Sequence, residues 1–423
     1  MKKQIISGLL ASICLLGTYA QQPLTVETCQ EKAKERYPLA KQYGLIEQTS
    51  EFNISNANKG YLPQLTFSTR ATYQSEVTEI PISIPNTPPI PSLKKDQYQA
   101  ALEASQLIWD GGIIKARKNI TQAGTEVEKQ KLEVDLYTLN ERVNQLFFGI
   151  LLLKEQLVQN EIIQKELQTS HDRVSAYMQN GVASQADLDA IRVEQLNAIQ
   201  RETELGSTQK AYCSMLSALT GIPIDGNSLL QKPVVNLSLI NDSTNHRPEL
   251  KLFEAQNKLF ESQKSLVTAG NLPKIGLFVQ SGYGRPGLNM LTNKFSPFYI
   301  GGLRLSWNIS GFYTQKAEMD KLELGKKTVD VQKETFLFNS DLKTTQQKTE
   351  IEKLQLQIKN DDSIIGLRQN IKKAADARFE NGTITVSDLI REINAEDQAR
   401  QVKSLHEIQL ILNVYQLKNN TNN

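Results

Sequence analysis

The sequence predicts a mainly α-helical fold that carries membrane β-hairpins and is built as a two-fold internal repeat. Three observations predict it: an export signal with no later apolar run long enough for a membrane helix, two pairs of alternating segments, and very long heptad-spaced stretches.

Lys2 and Lys3 precede an apolar stretch from Ile5 to Leu16, and Thr18-Tyr19-Ala20 is a small-x-small cleavage pattern. Residues 1–20 therefore read as a secretory signal cut before Gln21. Ile13 stands before Cys14 where lipid acylation would want a small residue. The chain has 48 basic and 46 acidic residues, and the signal holds two of the bases and no acid, so the mature chain is formally neutral. Such a chain has no charge surplus to recruit nucleic acid or an anionic membrane surface. Cys29 and Cys213 remain after cleavage and read as reduced, buried and inert, since their spacing gives no support to a disulfide. Beyond Ala20 the longest apolar candidate, Leu146 to Leu153, falls far short of the ~20 residues of a membrane helix. A mature chain of this kind crosses a membrane only with strands. At about 400 residues it exceeds one compact core, which implies several modules or an elongated form.

The repeat is visible directly. Gly60-Tyr61-Leu62-Pro63-Gln64-Leu65 returns as Gly270-Asn271-Leu272-Pro273-Lys274-Ile275 at an offset of 210, the offset that also relates Pro38 to Pro248. Leu107-Ile108-Trp109-Asp110 returns as Leu305-Ser306-Trp307-Asn308 at 198, and Asn180-Gly181 with Asp187-Leu188 returns as Asn381-Gly382 with Asp388-Leu389 at 201. Collinear matches at near-constant spacing indicate duplication. The chain then divides into a first repeat over 21–221, a linker over 222–246, a second repeat over 247–418 and a tail over 419–423.

Each half reads helix, strand, loop, strand, long helix, turn, helix. The first helix is expected from Val26 to Lys59 and its counterpart from Pro248 to Ala269, each closed by glycine and then Leu-Pro. The period then changes to two. After Pro63, Leu65, Phe67, Thr69, Ala71 and Tyr73 alternate with Thr66, Ser68, Arg70 and Thr72; after Pro273, Ile275, Leu277, Val279 and Tyr283 alternate less cleanly. This is the length and pattern of a barrel strand, and equally that of a soluble half-buried strand. Return strands are expected over 97–109 and 297–307. In the first of them Leu107 and Trp109 fall on the face opposite Tyr98, Ala100, Leu102 and Ala104, a mismatch that a β-bulge would reconcile. Pro81, Pro85, Pro88, Pro89 and Pro91 mark one connecting loop and Gly284 to Phe295 the other.

From Ile113 to Met178 no proline interrupts the chain, which predicts one helix approaching 100 Å at ~1.5 Å per residue. Leu132, Leu136, Leu139, Val143, Leu146, Ile150, Leu153 and Leu157 step by four and three, a seam that wants a coiled-coil partner. The helix from Gln185 to Leu219 offers a weaker one through Leu188, Ile191, Gln195, Ala198 and Leu205. The second half repeats this over 312–379, with Ile351, Leu354, Ile358 and Ile365, and over 386–417. Four strands cannot close a barrel, so in lipid their edges would be unsatisfied unless other chains complete it, and three chains supply about twelve strands.

The order of these pieces resembles the TolC-like outer membrane efflux protein family, the outer membrane factors. The resemblance spans the mature chain through Leu24-Thr25-Val26-Glu27, Trp109-Asp110-Gly111-Gly112, Leu219-Thr220-Gly221, Arg247-Pro248-Glu249-Leu250, the paired Leu-Pro strand starts and the two Asn-Gly turns. It implies a homotrimer in outer-membrane lipid, with a twelve-stranded β-barrel continued by a long periplasmic α-helical coiled-coil barrel and an equatorial belt that includes the linker. It further implies a passive exit duct joined to an inner-membrane transporter through a periplasmic adaptor protein, needing no cofactor. The turns Asn180, Gly181, Asn381 and Gly382 would form the periplasmic tip where adaptors dock, and Asp187, Asp388 and Arg391 would be candidates for the pore constriction. Both aspartates also suit ordinary helix capping. Ile384 stands where some relatives have an arginine that ties the tip shut, and Arg391 where some have a second pore aspartate. Neither an Arg-to-Asp latch nor cation preference at the constriction therefore carries over.

No catalytic set competes with this reading. His171, His246 and His406 fall in no metal-ligand spacing, and Gly282-Tyr283-Gly284 runs into Arg285-Pro286 rather than a dinucleotide loop. Two alternatives stay open: a type I protein secretion duct, and a non-transporting periplasmic coiled-coil scaffold, which would leave the matched strand pairs unexplained.

Overall fold

The computed structural model describes residues 23–79, 92–235 and 245–422. The export signal, the proline-marked loop and residues 236–244 of the linker lie outside the described residues.

In chain order the elements are α1 (Val26–Arg36), α2 (Gln42–Asn58), β1 (Gln64–Tyr73), β2 (Asp96–Trp109), α3 (Ile113–Tyr137), α4 (Leu139–Gln179) and α5 (Gln185–Thr220). The second half follows with α6 (Pro248–Gly270), β3 (Lys274–Arg285), β4 (Ser296–Ser306), α7 (Phe312–Glu380) and α8 (Val386–Thr421). No helix among the described residues is long and apolar enough to cross a membrane.

Two expected helices are broken. The one expected over 26–59 is divided by a short 3-10 turn at Pro38–Lys41, where proline lacks the N–H and crowds the carbonyl four residues back. Pro248, its repeat partner, instead opens α6, the position a helix tolerates best. The helix expected over 113–178 is interrupted at Thr138. There the backbone keeps right-handed dihedrals (φ −63°, ψ −21°), and the hydroxyl donates to the Asp135 carbonyl at 2.7 Å, a local bond that competes with the helical ladder. The matching α7 runs 69 residues without a break, and α8 continues to Thr421, into the expected tail.

The described residues fall into two compact units. One draws on the described residues 23–40, 133–235, 245–248 and 336–422 and is helical. Its core joins Val26 and Cys29 of α1, Phe147 and Phe148 of α4, Leu216 of α5 and Tyr415 of α8. The Phe147 and Phe148 rings meet edge-on at 5.5 Å, and the Tyr415 hydroxyl donates to Glu27 Oε1 at 2.6 Å. Leu136, Leu139, Val143, Leu146, Ile150 and Leu153 of the predicted seam are buried. Each such side chain contributes about 1.5–3 kcal/mol over its exposed state. Asn160 joins α4 to α5 by donating to the Ala198 carbonyl at 3.0 Å. Cys29 and Cys213 are both free and buried.

The other unit draws on the described residues 41–79, 92–132 and 249–335 and holds the sheet. The strand order is β1-β2-β3-β4, antiparallel throughout. The pairing of β2 with β3 joins the two repeats. Beyond β2, the Asp110 carboxylate accepts from Gly112 N at 2.8 Å and Ile114 N at 2.6 Å, which caps α3. Gly111 adopts φ +71°, and a Cβ there would meet the Ala269 carbonyl at 2.9 Å, so both conformation and space require glycine in this motif.

Candidate functional site: a two-faced sheet and two matched turns

The register assigns every strand side chain to a face. Leu65, Phe67, Thr69, Ala71 and Tyr73 of β1 stand opposite Ala104, Leu102, Ala100, Tyr98 and Asp96 of β2. The same face continues through Leu277, Val279, Ser281 and Tyr283 of β3 and Leu305, Leu303 and Tyr299 of β4. The bulge that the alternation required is present: Leu107 pairs with Gly276 but Trp109 with Ile275, so Ile108 is the extra residue and Trp109 is turned onto the apolar face.

This face is open to its surroundings. Phe67 is 70% exposed, Leu303 72% and Tyr299 80%, a contiguous apolar surface of the kind that water does not tolerate without a covering partner. Its only charges are Asp96 and Arg285 at one end, which pair with each other. Aromatic residues gather at both ends: Tyr73, Tyr98, Tyr283 and Tyr299 at one, Trp109 and Trp307 at the other. At the first end Tyr283 and Tyr98 stack on Phe295 with centroids 5.7 and 6.4 Å away. At the other, Trp307 Nε1 donates to the Asn271 carbonyl at 3.0 Å, which fixes the ring at the strand start. An apolar band with an aromatic row at each rim is the pattern of a barrel strand in lipid. The sequence showed these aromatics singly; only the register sets them in rows.

The opposite face is polar, with Thr66, Ser68, Arg70, Gln99, Glu103, Gln280 and Arg304. Two of its glycines lie under rings: a Cβ on Gly282 would strike Phe298 at 2.4 Å, and one on Gly302 would sit 3.4 Å from Phe278. Each ring fills what its glycine leaves empty and holds register across the strands. The outer edges of β1 and β4 have no strand partner within the sheet.

The helical unit brings the two predicted turns together. At α4–α5, Gly181 takes φ +72°, Val182 N donates to the Tyr177 carbonyl at 2.9 Å and Gly181 N to the Met178 carbonyl at 3.0 Å. At α7–α8, Gly382 takes φ +66°, with Thr383 N to the Arg378 carbonyl at 2.9 Å and Gly382 N to the Phe379 carbonyl at 2.9 Å. Both are Schellman closures. Asn180 and Asn381 add side-chain bonds to the Ala176 and Ala377 carbonyls at 3.0 and 2.7 Å. Each following helix opens on a capping box. Asp187 accepts from the Ser184 hydroxyl and N–H at 2.7 and 2.9 Å, and Asp388 from the Thr385 hydroxyl and N–H at 2.8 and 3.2 Å. These bonds hold both carboxyls below the usual range, Asp388 with further help from Arg391 and Arg378. Arg391 lies 3.2 Å from Asp388 and 3.2 Å from Glu392, so its charge is met on its own helix.

Beneath the turns, Leu167, Val174 and Ile191 from one hairpin pack with Phe379, Leu389 and Ile393 from the other. The Tyr177 and Phe379 rings lie 5.7 Å apart. Ile384 joins this cluster as an apolar contact.

No protein-family model matches the chain, and no curated protein sequence does. Solved structures do match. The channel CusC superposes with a TM-score of 0.68 at 16% identity, over 94% of this chain and 91% of that one. The outer membrane protein VceC of Vibrio cholerae gives 0.66 at 11%, over 94% and 95%. The open-state outer membrane channel MtrE of Neisseria gonorrhoeae gives 0.64 at 14%, over 94% and 88%.

The chain has the outer-membrane channel fold.

The resemblance read from the sequence is thereby borne out at the level of fold. Within that fold the aspartates are capping residues by their bonds, as the spacing allowed. Residues the sequence reading did not single out include the paired aromatic rows, and Lys274, Arg304 and Phe278 on the polar face.

Proposed function

We propose that this chain is an outer-membrane channel-tunnel of the TolC-like kind, a passive exit duct of a tripartite efflux system that reaches an inner-membrane transporter through a periplasmic adaptor. One observation carries the reading: a sheet with one apolar, aromatic-rimmed face ends on two unpaired edges. In lipid each unpaired backbone group costs several kcal/mol, so such a sheet is stable there only as part of a closed barrel. Three copies would supply about twelve strands and satisfy both edges. A soluble scaffold has no use for that face. The two Gly turns, side by side at one end of the helical unit, suit the adaptor contact.

Two measurements test it. The chain is expected in the detergent-extracted outer-membrane fraction as a heat-modifiable trimer; a soluble monomer would overturn the duct. Bulky residues at Gly181 and Gly382 together are expected to abolish pump-dependent export while trimers persist, and unchanged export would remove the turns from the adaptor contact.

A further inference from the structure

The polar face of the sheet is not electrically balanced. Alternation places Arg70, Lys274 and Arg304 on it against the single carboxylate of Glu103. Arg304 is compensated: its Nη1 lies 3.1 Å from Glu103 Oε1, and its guanidinium covers the Phe278 ring at 4.5 Å. Arg70 and Lys274 are exposed, and neither makes an ion pair among the described residues. Each chain thus presents two uncompensated cations, six in a trimer. Near Lys274 the face is indented by a hollow of about 320 Å3, whose lining includes Leu107, Phe278, the uncompensated Lys274 and the Arg304 that pairs with Glu103. An apolar floor under a cationic rim accepts an amphiphile whose polar group is negative.

We propose that the strand-lined part of the duct favours anions, and amphiphilic anions most, over cations. The inference rests on the duct reading above, because it needs the polar face to line the lumen. Ring-placed cations raise the local anion concentration and exclude cations. At low salt their field reaches across the lumen, the Debye length being about 30 Å at 0.01 M. Arg304 is unsuitable for a test, since it holds Phe278 and Glu103; Arg70 and Lys274 make no ion pair among the described residues.

The experiment is the reversal potential of purified trimers in planar bilayers under a KCl gradient at low salt, for the wild type and for Arg70→Gln/Lys274→Gln. Chloride is expected to permeate more readily than potassium in the wild type, with the ratio falling roughly threefold or more in the variant. Naphthalenesulfonate is expected to reduce the wild-type current more than methanesulfonate does, and the variant is expected to lose that difference. Conductance with an unmoved ratio overturns the anion preference alone, and equal block by the two sulfonates overturns its amphiphilic part. Trimers that never conduct overturn the duct reading and this inference with it.

Discussion

Trp109 lies opposite Ile275 although Leu107, two residues earlier, lies opposite Gly276. The extra residue, Ile108, moves the indole from the polar face of the sheet to the apolar one. There it takes its place at the rim with Trp307, the residue that matches it in the second repeat.

Deleting Ile108 should return Trp109 to the polar face while leaving the rest of β2 paired as before. Removing an indole from an apolar surround loses about 1.5–3 kcal/mol, so membrane-assembled trimers should fall about tenfold or more against monomer. Semi-native electrophoresis of membrane fractions reads this. Normal trimer yield would show that the bulge does not serve assembly.

Gly181 and Gly382 have left-handed backbone, yet a Cβ at either would meet nothing within 4 Å. Their glycine requirement is therefore conformational and not steric. Asparagine, which tolerates that conformation, should cost little at either site, whereas valine should cost about 1–2 kcal/mol per turn. Thermal unfolding of the detergent-solubilised protein should rank wild type and asparagine together above valine. Equal loss for both substitutions would mean that space around the turns, closed in the assembled protein, sets the requirement.

Much of this was readable in advance for definite reasons. A period of two survives in Leu65 to Tyr73 because one face meets a different medium from the other, and the misfit of Leu107 and Trp109 within that period is itself the mark of the bulge. The turns were readable because Gly181 and Gly382 recur with Asp187 and Asp388 at one offset. The break at Thr138 was not, since threonine is unremarkable in a helix and only its bond to Asp135 reveals the interruption. The break at Pro38 was hidden by its match to Pro248, which begins a helix where Pro38 divides one. The aromatic rows and the cationic surplus depend on the pairing of β2 with β3, strands from different repeats whose register no local pattern encodes.

Cys29 and Cys213 are both fully or nearly fully buried, at 0% and 2% exposure, and burial pushes the Cys29 thiol up to about 12. A neutral, inaccessible thiol is a poor nucleophile. Neither cysteine should react with an aromatic disulfide reagent in the folded protein, and both should react at once in denaturant without prior reduction. Thiols that appear only after reduction would reveal a disulfide that this fold does not contain.

Asp397 of α8 is a carboxylate held out of its ordinary range by burial. Burial raises its pKa to about 6, against the opposing pull of Arg201 and a bond from Gln401; Arg201 Nη1 stands 3.6 Å away. The folded chain therefore keeps this proton in a range where the unfolded chain has released it. Stability contributed by the group rises as pH falls through about 6 and is complete below the ordinary aspartate value; at neutral pH the buried charge is a cost. Asp397→Asn should remove that cost. Because Arg201 is 41% exposed, it can turn to water when its partner becomes neutral, so the gain should not be lost to an orphaned cation. The variant should be more stable than wild type at pH 7.5 by about 1–2 kcal/mol, with the difference shrinking as pH falls through about 6 and vanishing only below the ordinary aspartate value of 3.8. Thermal unfolding across that range measures it, and a variant less stable at pH 7.5 would mean that the Arg201 pair outweighs the burial of the charge.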